Sequence, residues 1–144
     1  MDLGLTGKRA FVSGSTQGIG YAVARALAEE GAAVVLNGRT AAGVDAAVER
    51  LRAVVPGADV SGIAADFVDP SQVRGLLSSL GDVDVLVNNV GVFDVAPFDQ
   101  IADDEWQRYL DVNLMSGVRL SRHALPGMLA RGWAGSSSSA ASRA

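Results

Sequence analysis

The sequence predicts an α/β fold, a doubly wound parallel sheet with helices on both faces. Three observations carry this. Short apolar runs alternate with segments of helical periodicity along most of the 144 residues, which is the pattern of strands joined by right-handed helical crossovers. The runs lack polar/apolar alternation, as strands buried on both faces do. Directly after the first run, Arg9-Ala10-Phe11-Val12, comes a glycine-rich turn, Ser13-Gly14-Ser15-Thr16-Gln17-Gly18-Ile19-Gly20.

In chain order, residues 8–13 read as a short buried strand. A helix over 18–30 follows, with Ile19, Val23, Ala26 and Leu27 at helical spacing and Gly31 at the place of a C-terminal cap. A second strand is expected over 33–37, a helix over 41–53 that ends before Pro56-Gly57, and a third strand over 59–64. Pro70 suits the first position of a helix through Leu80, with Gly81 after it. A fourth strand covers 84–88, and two helices, 102–109 and 111–131, complete the pattern. The expected strand order is 3-2-1-4. Beyond Trp133 the signal vanishes: Gly135 to Ala144 is serine- and alanine-rich with no core-forming residue beyond alanine. The division is therefore an incomplete domain over 1–133 and a disordered tail over 134–144.

Composition removes several classes of function. With 49% hydrophobic and 19% charged residues the chain is no disordered polymer. A net charge of −4 without a Lys/Arg cluster gives no reason to expect nucleic acid. There is no cysteine, which excludes disulfides, thiol catalysis and thiolate metal sites. The start has no basic segment followed by an apolar one, and no apolar run approaches a membrane span. A soluble cytoplasmic protein without a membrane partner is the default. His123, the only histidine, has no paired ligand in sequence, so no metal is expected. Trp106 and Trp133 read most simply as packing residues.

The glycine turn carries the chemistry. A strand, a glycine turn and a helix together grip a pyrophosphate, because the first helical turn leaves N–H groups unpaired and the helix dipole favours an anion. A Cβ on Gly14, Gly18 or Gly20 would hold the backbone off the phosphates or obstruct helix–strand packing. Ser15, Gln17 and Ile19 complete the turn as candidate cofactor contacts, and a purely structural turn is the weaker alternative. About 20 residues further on, dinucleotide folds read the adenosine ribose. Here the chain offers Asn37-Gly38-Arg39-Thr40, with no acid. A carboxylate would bond the 2′-hydroxyl and repel a 2′-phosphate, whereas Arg39 does the opposite. This leans toward NADP over NAD, against the alternative of a solvated arginine. Asp66, with Phe67 beside it, follows the third strand and is placed at the adenine edge, or else caps a turn. Asn88-Asn89-Val90-Gly91 ends the fourth strand. Gly91 lets the chain pass close to the cofactor ribose, while the amides stitch neighbouring strands. Asn113 lies inside a helix, where it bonds a neighbouring carbonyl and supports a proton path, or is simply a polar surface residue.

The glycine motif, Asn88-Asn89-Val90-Gly91 and Asp111-Val112-Asn113, in this order, resemble the short-chain dehydrogenase/reductase family over about Leu5 to Trp133. Departures are mild. Ser13 stands where Thr is usual, Val90 where Ala is usual, and Gln17 where NADP-preferring members often carry a basic residue. The resemblance implies a Rossmann-like fold, cofactor contacts through Gly14, Ser15, Gln17, Gly18, Ile19, Gly20, Arg39, Asp66, Phe67, Asn89, Val90 and Gly91, and hydride transfer between nicotinamide C4 and an alcohol or carbonyl carbon. It also implies a small carbonyl or alcohol substrate, and a homo-oligomer, since in the family the last helix helps form the subunit interface. In the family a Tyr is the general acid/base, a Lys four residues later lowers its pKa, a Ser orients substrate, and an Asn extends the relay; Asn113 matches that last role.

The Tyr-x-x-x-Lys pair is not in this sequence. Its only lysine is Lys8; Tyr21 is followed four residues on by Arg25, and Tyr109 by Asn113. Two classes of function follow: an oxidoreductase by descent that does not turn over as written, or a non-catalytic cofactor-binding fragment or product without a function of its own. The expected sheet stops at its fourth strand, leaving that edge unpaired. A frameshift at position 134 would explain the tail: with synonymous codons chosen to suit, one G restored after the Trp133 codon gives Trp-Gly-Arg-Val-Val-Phe-Ile-Cys-Ser-Glu-Ser, a strand followed by a serine. Sequencing the gene tests this, and a downstream frame lacking Tyr-x-x-x-Lys overturns it.

Overall fold

The computed structural model describes residues 2–138. Its strands are β1 (Arg9–Val12), β2 (Ala33–Gly38), β3 (Val60–Ala64), β4 (Val85–Asn88) and β5 (Gly135–Ser138). They form one parallel sheet in the order β3-β2-β1-β4-β5. The helices are α1 (Gly18–Glu29), α2 (Ala41–Val54), α3 (Pro70–Leu80), α4 (Asp103–Leu110) and α5 (Ser116–Arg131). The fold is Rossmann-like, and its first four strands stand in the expected order 3-2-1-4.

Successive strand residues point to opposite faces, and the sequence is apolar at both parities. Ala10, Val12, Val34, Leu36, Val85 and Val87 join a core with Ala24 and Ala28 of α1 and Val44, Val48 and Leu51 of α2. Phe11, Val35 and Leu86 join the opposite core with Val73, Leu76 and Leu80 of α3 and Leu120, Ala124 and Met128 of α5. Each fully buried Leu, Val or Phe contributes about 1.5–3 kcal/mol, so neither face of the central strands can be left wet. α3 starts as expected at Pro70, and Asp69 caps it by accepting the N–H groups of Ser71 at 2.8 Å and Gln72 at 3.3 Å.

Two expectations need correction. The helices expected at 102–109 and 111–131 are one helical path, widened by a single π turn at Asp111–Met115. More consequentially, the sheet does not stop at β4. Gly135 to Ser138 pair with it as a parallel fifth strand, Val85 opposite Gly135 and Asn88 opposite Ser138. The expected tail therefore contains a strand over its first residues, and Ser139–Ala144 lie outside the described residues. The physical reason is that ladder bonds join backbone groups and need no apolar side chain. Once α5 returns the chain along β4 and Trp133 packs against the first core, the backbone is delivered to an open edge. Among the described residues, no helix is long and apolar enough to cross a membrane.

Candidate functional site

A cleft of about 650 Å³ opens beside the glycine turn, between the chain leaving β2, β3 and β4 and the start of α1. Gly14 (φ 60°) and Gly18 (φ 61°) adopt the left-handed backbone that lets the turn close. At Gly18 the backbone conformation alone favours glycine, whereas at Gly14 packing also leaves no room: a Cβ there would lie 3.0 Å from Val90 Cα. One on Gly20 would lie 2.6 Å from the Gly14 carbonyl and strike the Asn89 amide nitrogen. Gln17, at the N-cap of α1, makes no side-chain cap, and the first turn carries no acidic residue. The helix thus presents uncapped N–H groups and the positive end of its dipole to the cleft, a set of donors that fits a diphosphate.

A buried polar network holds this shape. The Ser13 hydroxyl accepts the N–H groups of Asn89 and Val90, both at 3.0 Å, and donates to the Val87 carbonyl at 3.4 Å. The Asn89 side-chain amide donates to the Ser13 carbonyl at 3.1 Å and the Gly14 carbonyl at 2.9 Å. Asn37 Oδ1 accepts the Gly14 N–H at 3.0 Å, and its Nδ2 donates to the Ile63 carbonyl at 3.1 Å. Ser15 donates to the Val12 carbonyl at 2.7 Å and accepts the Asn37 N–H at 2.9 Å. Ser13, Ser15 and Asn37 are all buried. Buried donors and acceptors must pair, so the ends of β1, β2, β3 and β4 are locked together at the floor of the cleft.

The structure gathers most of the expected site residues on this one surface. Gly14, Gln17, Gly18, Ile19 and Gly20 line its floor, and Asn89, Val90 and Gly91 its far wall. Arg39 lies at the β2 end, exposed, with no hydrogen bond or ion pair among the described residues. Asp66 and Phe67 line the β3 end, where Phe67 is nearly buried and Asp66 accepts the Val68 N–H at 3.1 Å. Ser15 does not line the cleft; it serves the network behind it. Asn113 also lies off the cleft wall, in the π turn, where it accepts the Val92 N–H at 2.7 Å and donates to the Val92 carbonyl at 2.9 Å. It clamps Val92, which does line the cleft.

Sequence reasoning passed over several contributors. Asn37 had a usable signal, a polar residue closing an otherwise apolar strand. Thr16, Phe93 and Arg108 had none, because only folding brings them to the cleft. Arg108 sits 3.9 Å from both Asp94 and Glu105, an exposed pairing of little energetic weight. His123 bonds the Gly81 carbonyl at 2.8 Å, and among the described residues no cluster of His, Asp and Glu could hold a metal ion. Trp133 is a packing residue, stacked under the Lys8 ammonium at 4.4 Å. Trp106 is not buried: it is 42% exposed and meets Phe98 edge to face.

Comparison with known proteins agrees with this geometry. The uncharacterized oxidoreductase YvrD of Bacillus subtilis (strain 168) is 44% identical over 134 residues, covering 91% of this chain and 50% of that protein. The solved L-sorbose reductase from Gluconobacter frateurii, complexed with NADPH and L-sorbose, superposes with a TM-score of 0.82 at 39% identity, over 92% of this chain and 51% of that one. A gluconate 5-dehydrogenase from Burkholderia cenocepacia J2315, in complex with NADP and tartrate, gives 0.81 at 33% identity, over 93% and 53%. The chain thus spans about half the length of the relatives it matches. The short chain dehydrogenase model matches residues 8–140, nearly the whole chain, and with the glycine turn and the Asn89 network in place the protein belongs to the short-chain dehydrogenase family.

Proposed function

We propose that the cleft binds a nicotinamide dinucleotide, NADP(H) in preference to NAD(H), and that these 144 residues form the coenzyme-binding half of a short-chain dehydrogenase-type oxidoreductase. The observation that carries this is the uncapped start of α1 facing a cleft in which neither Gly14 nor Gly20 has room for a Cβ. In the bound state the first-turn amides hold the diphosphate, and Gly91 and Val92 border the nicotinamide end. Arg39, without a competing carboxylate partner, pairs with a 2′-phosphate. The coenzyme supplies hydride at the nicotinamide C4; the protein's part is binding, orientation and proton management.

Proton management is where this chain falls short. Its one lysine is engaged with Trp133, and no Tyr-x-x-x-Lys pair exists to meet a developing alkoxide. A positioned acid/base is worth about 10²–10⁴-fold in rate. The reading is therefore coenzyme binding without ketone turnover by these residues, with Asn113 as the one member of the family's proton relay they contain. Fluorescence titration tests it: saturable binding is expected, about tenfold tighter for NADPH than for NADH, from one charge-assisted contact. Ketone-dependent NADPH oxidation by the same preparation overturns the non-catalytic part, and binding of neither coenzyme overturns the whole.

A further inference from the structure

Arg50 lies on α2, yet it reaches the glycine turn. Its Nη2 donates to the Thr16 carbonyl at 2.6 Å, and its guanidinium stacks on the Tyr21 ring with its carbon 4.2 Å from the centroid. Tyr21 is in the first turn of α1, where its N–H donates to the Gln17 carbonyl at 3.3 Å. The guanidinium is thus held between the helix that starts at the turn and the turn's own backbone. On its other side Thr16 is seated against the end of β2: a Cβ on Gly38 would come 2.5 Å from its methyl group.

We propose that Arg50 is a positioning residue for the diphosphate-binding turn, an inference that rests on the coenzyme reading above. In a trans peptide the C=O and N–H point in opposite directions. Drawing the Thr16 carbonyl outward to Arg50 aims the Gln17 N–H the other way, and Gln17 lines the cleft. A cation on the carbonyl also polarises the peptide, which makes the N–H on its far end a better donor. The stack on Tyr21 limits the rotamers of an otherwise long, mobile side chain, so the hold is set before ligand arrives. Because Arg50 acts through a backbone group shared by any dinucleotide, its effect is blind to the 2′-phosphate. Arg39 acts on that phosphate alone.

The test compares Arg50→Gln, Arg50→Lys and Arg39→Gln with the unaltered chain. Kd for NADPH and NADH is read by fluorescence, fold by thermal melting, and the turn by amide NMR. Arg50 is solvent-exposed, so Arg50→Gln keeps the fold. Expected is a loss of about tenfold in affinity for both coenzymes alike, Tm nearly unchanged, and amide shifts concentrated at Gln17 to Gly20, with Arg50→Lys intermediate. Arg39→Gln weakens NADPH only. Unchanged affinities in Arg50→Gln overturn the positioning role and leave the coenzyme reading standing. Loss for NADPH alone also overturns it, by making Arg50 a direct 2′-phosphate contact. Affinity lost together with a large fall in Tm marks a merely structural tie, and an unaltered chain that binds neither coenzyme overturns both readings.

Discussion

The two sides of the sheet are finished differently. Around β1 and β2, the polar groups at the strand ends are buried and satisfied: Ser13, Ser15 and Asn37 bond one another's segments and the start of the glycine turn. Beyond β4 the surface is less finished. Phe93, Val95, Phe98, Leu125 and Leu129 are all more than half exposed. The lesson is about where preorganisation lives. The glycine turn is held by hydrogen bonds whose geometry is set by the chain itself, and its supports come from β1 to β4. The segment after β4 contributes a wall to the cleft and leaves its own apolar surface wet.

The largest expected effect comes from cutting the core on each side of that divide. Phe11→Ala removes a fully buried ring from the centre of the sheet and should cost about 3–5 kcal/mol. Leu129→Ala removes a side chain that is 71% exposed and should change stability by no more than about 0.5 kcal/mol. Urea unfolding followed by far-UV circular dichroism measures both. Similar losses at the two positions would mean that the outer face of α5 is covered in solution, and the comparison would break.

A smaller effect sharpens the same contrast within the network. Ser13→Ala leaves the N–H groups of Asn89 and Val90 without their shared acceptor in a buried site. About 1–3 kcal/mol of stability should be lost, and coenzyme affinity should fall as the far wall of the cleft loosens. Ser13→Thr keeps the hydroxyl and should retain most of both. A Thr variant as damaged as the Ala variant would show that space, and not the hydroxyl, decides this position.

Much of this was legible in the sequence, and the reasons are specific. Gly14, Gly18 and Gly20 are readable because a turn with positive φ at two positions and a close backbone approach at the third tolerates few residue types. Pro70 marks the start of α3 because proline suits a first helical position and few others inside a helix. The double-faced core is readable because Val34, Val35 and Leu36 leave no polar parity. Residues brought together only by tertiary contact were not legible. Arg108 and Phe93 reach the cleft from the α4 region and the loop after β4, and no local pattern marks them. β5 was hidden for another reason: Gly135 to Ser138 carry none of the β-branched or aromatic residues that advertise a strand, and the ladder to β4 joins backbone groups. Asn113 was legible as a residue of note, but its clamp on Val92 depends on a π turn that helical periodicity does not reveal.

The smallest effect concerns pH and lies at the start of α3, ahead of β4. Asp69 accepts the Ser71 hydroxyl and the Gln72 side-chain amide as well as the two backbone N–H groups at the start of α3. These bonds favour its charged form, led by those from the Gln72 and Ser71 side chains, and hold its pKa at about 2 where 3.8 is ordinary. A carboxylate whose pKa is lowered on folding adds stability that is fully present well above 3.8, and that stability is lost as pH falls toward and through about 2. Asp69→Asn can still cap the helix but cannot titrate. Urea midpoints measured from pH 6 down to pH 2 should therefore fall more steeply for the unaltered chain than for Asp69→Asn, the two curves converging at the acid end. Parallel curves would mean that the cap is already broken in solution, and that α3 owes its start to Pro70 and to the packing of Val73 and Leu76.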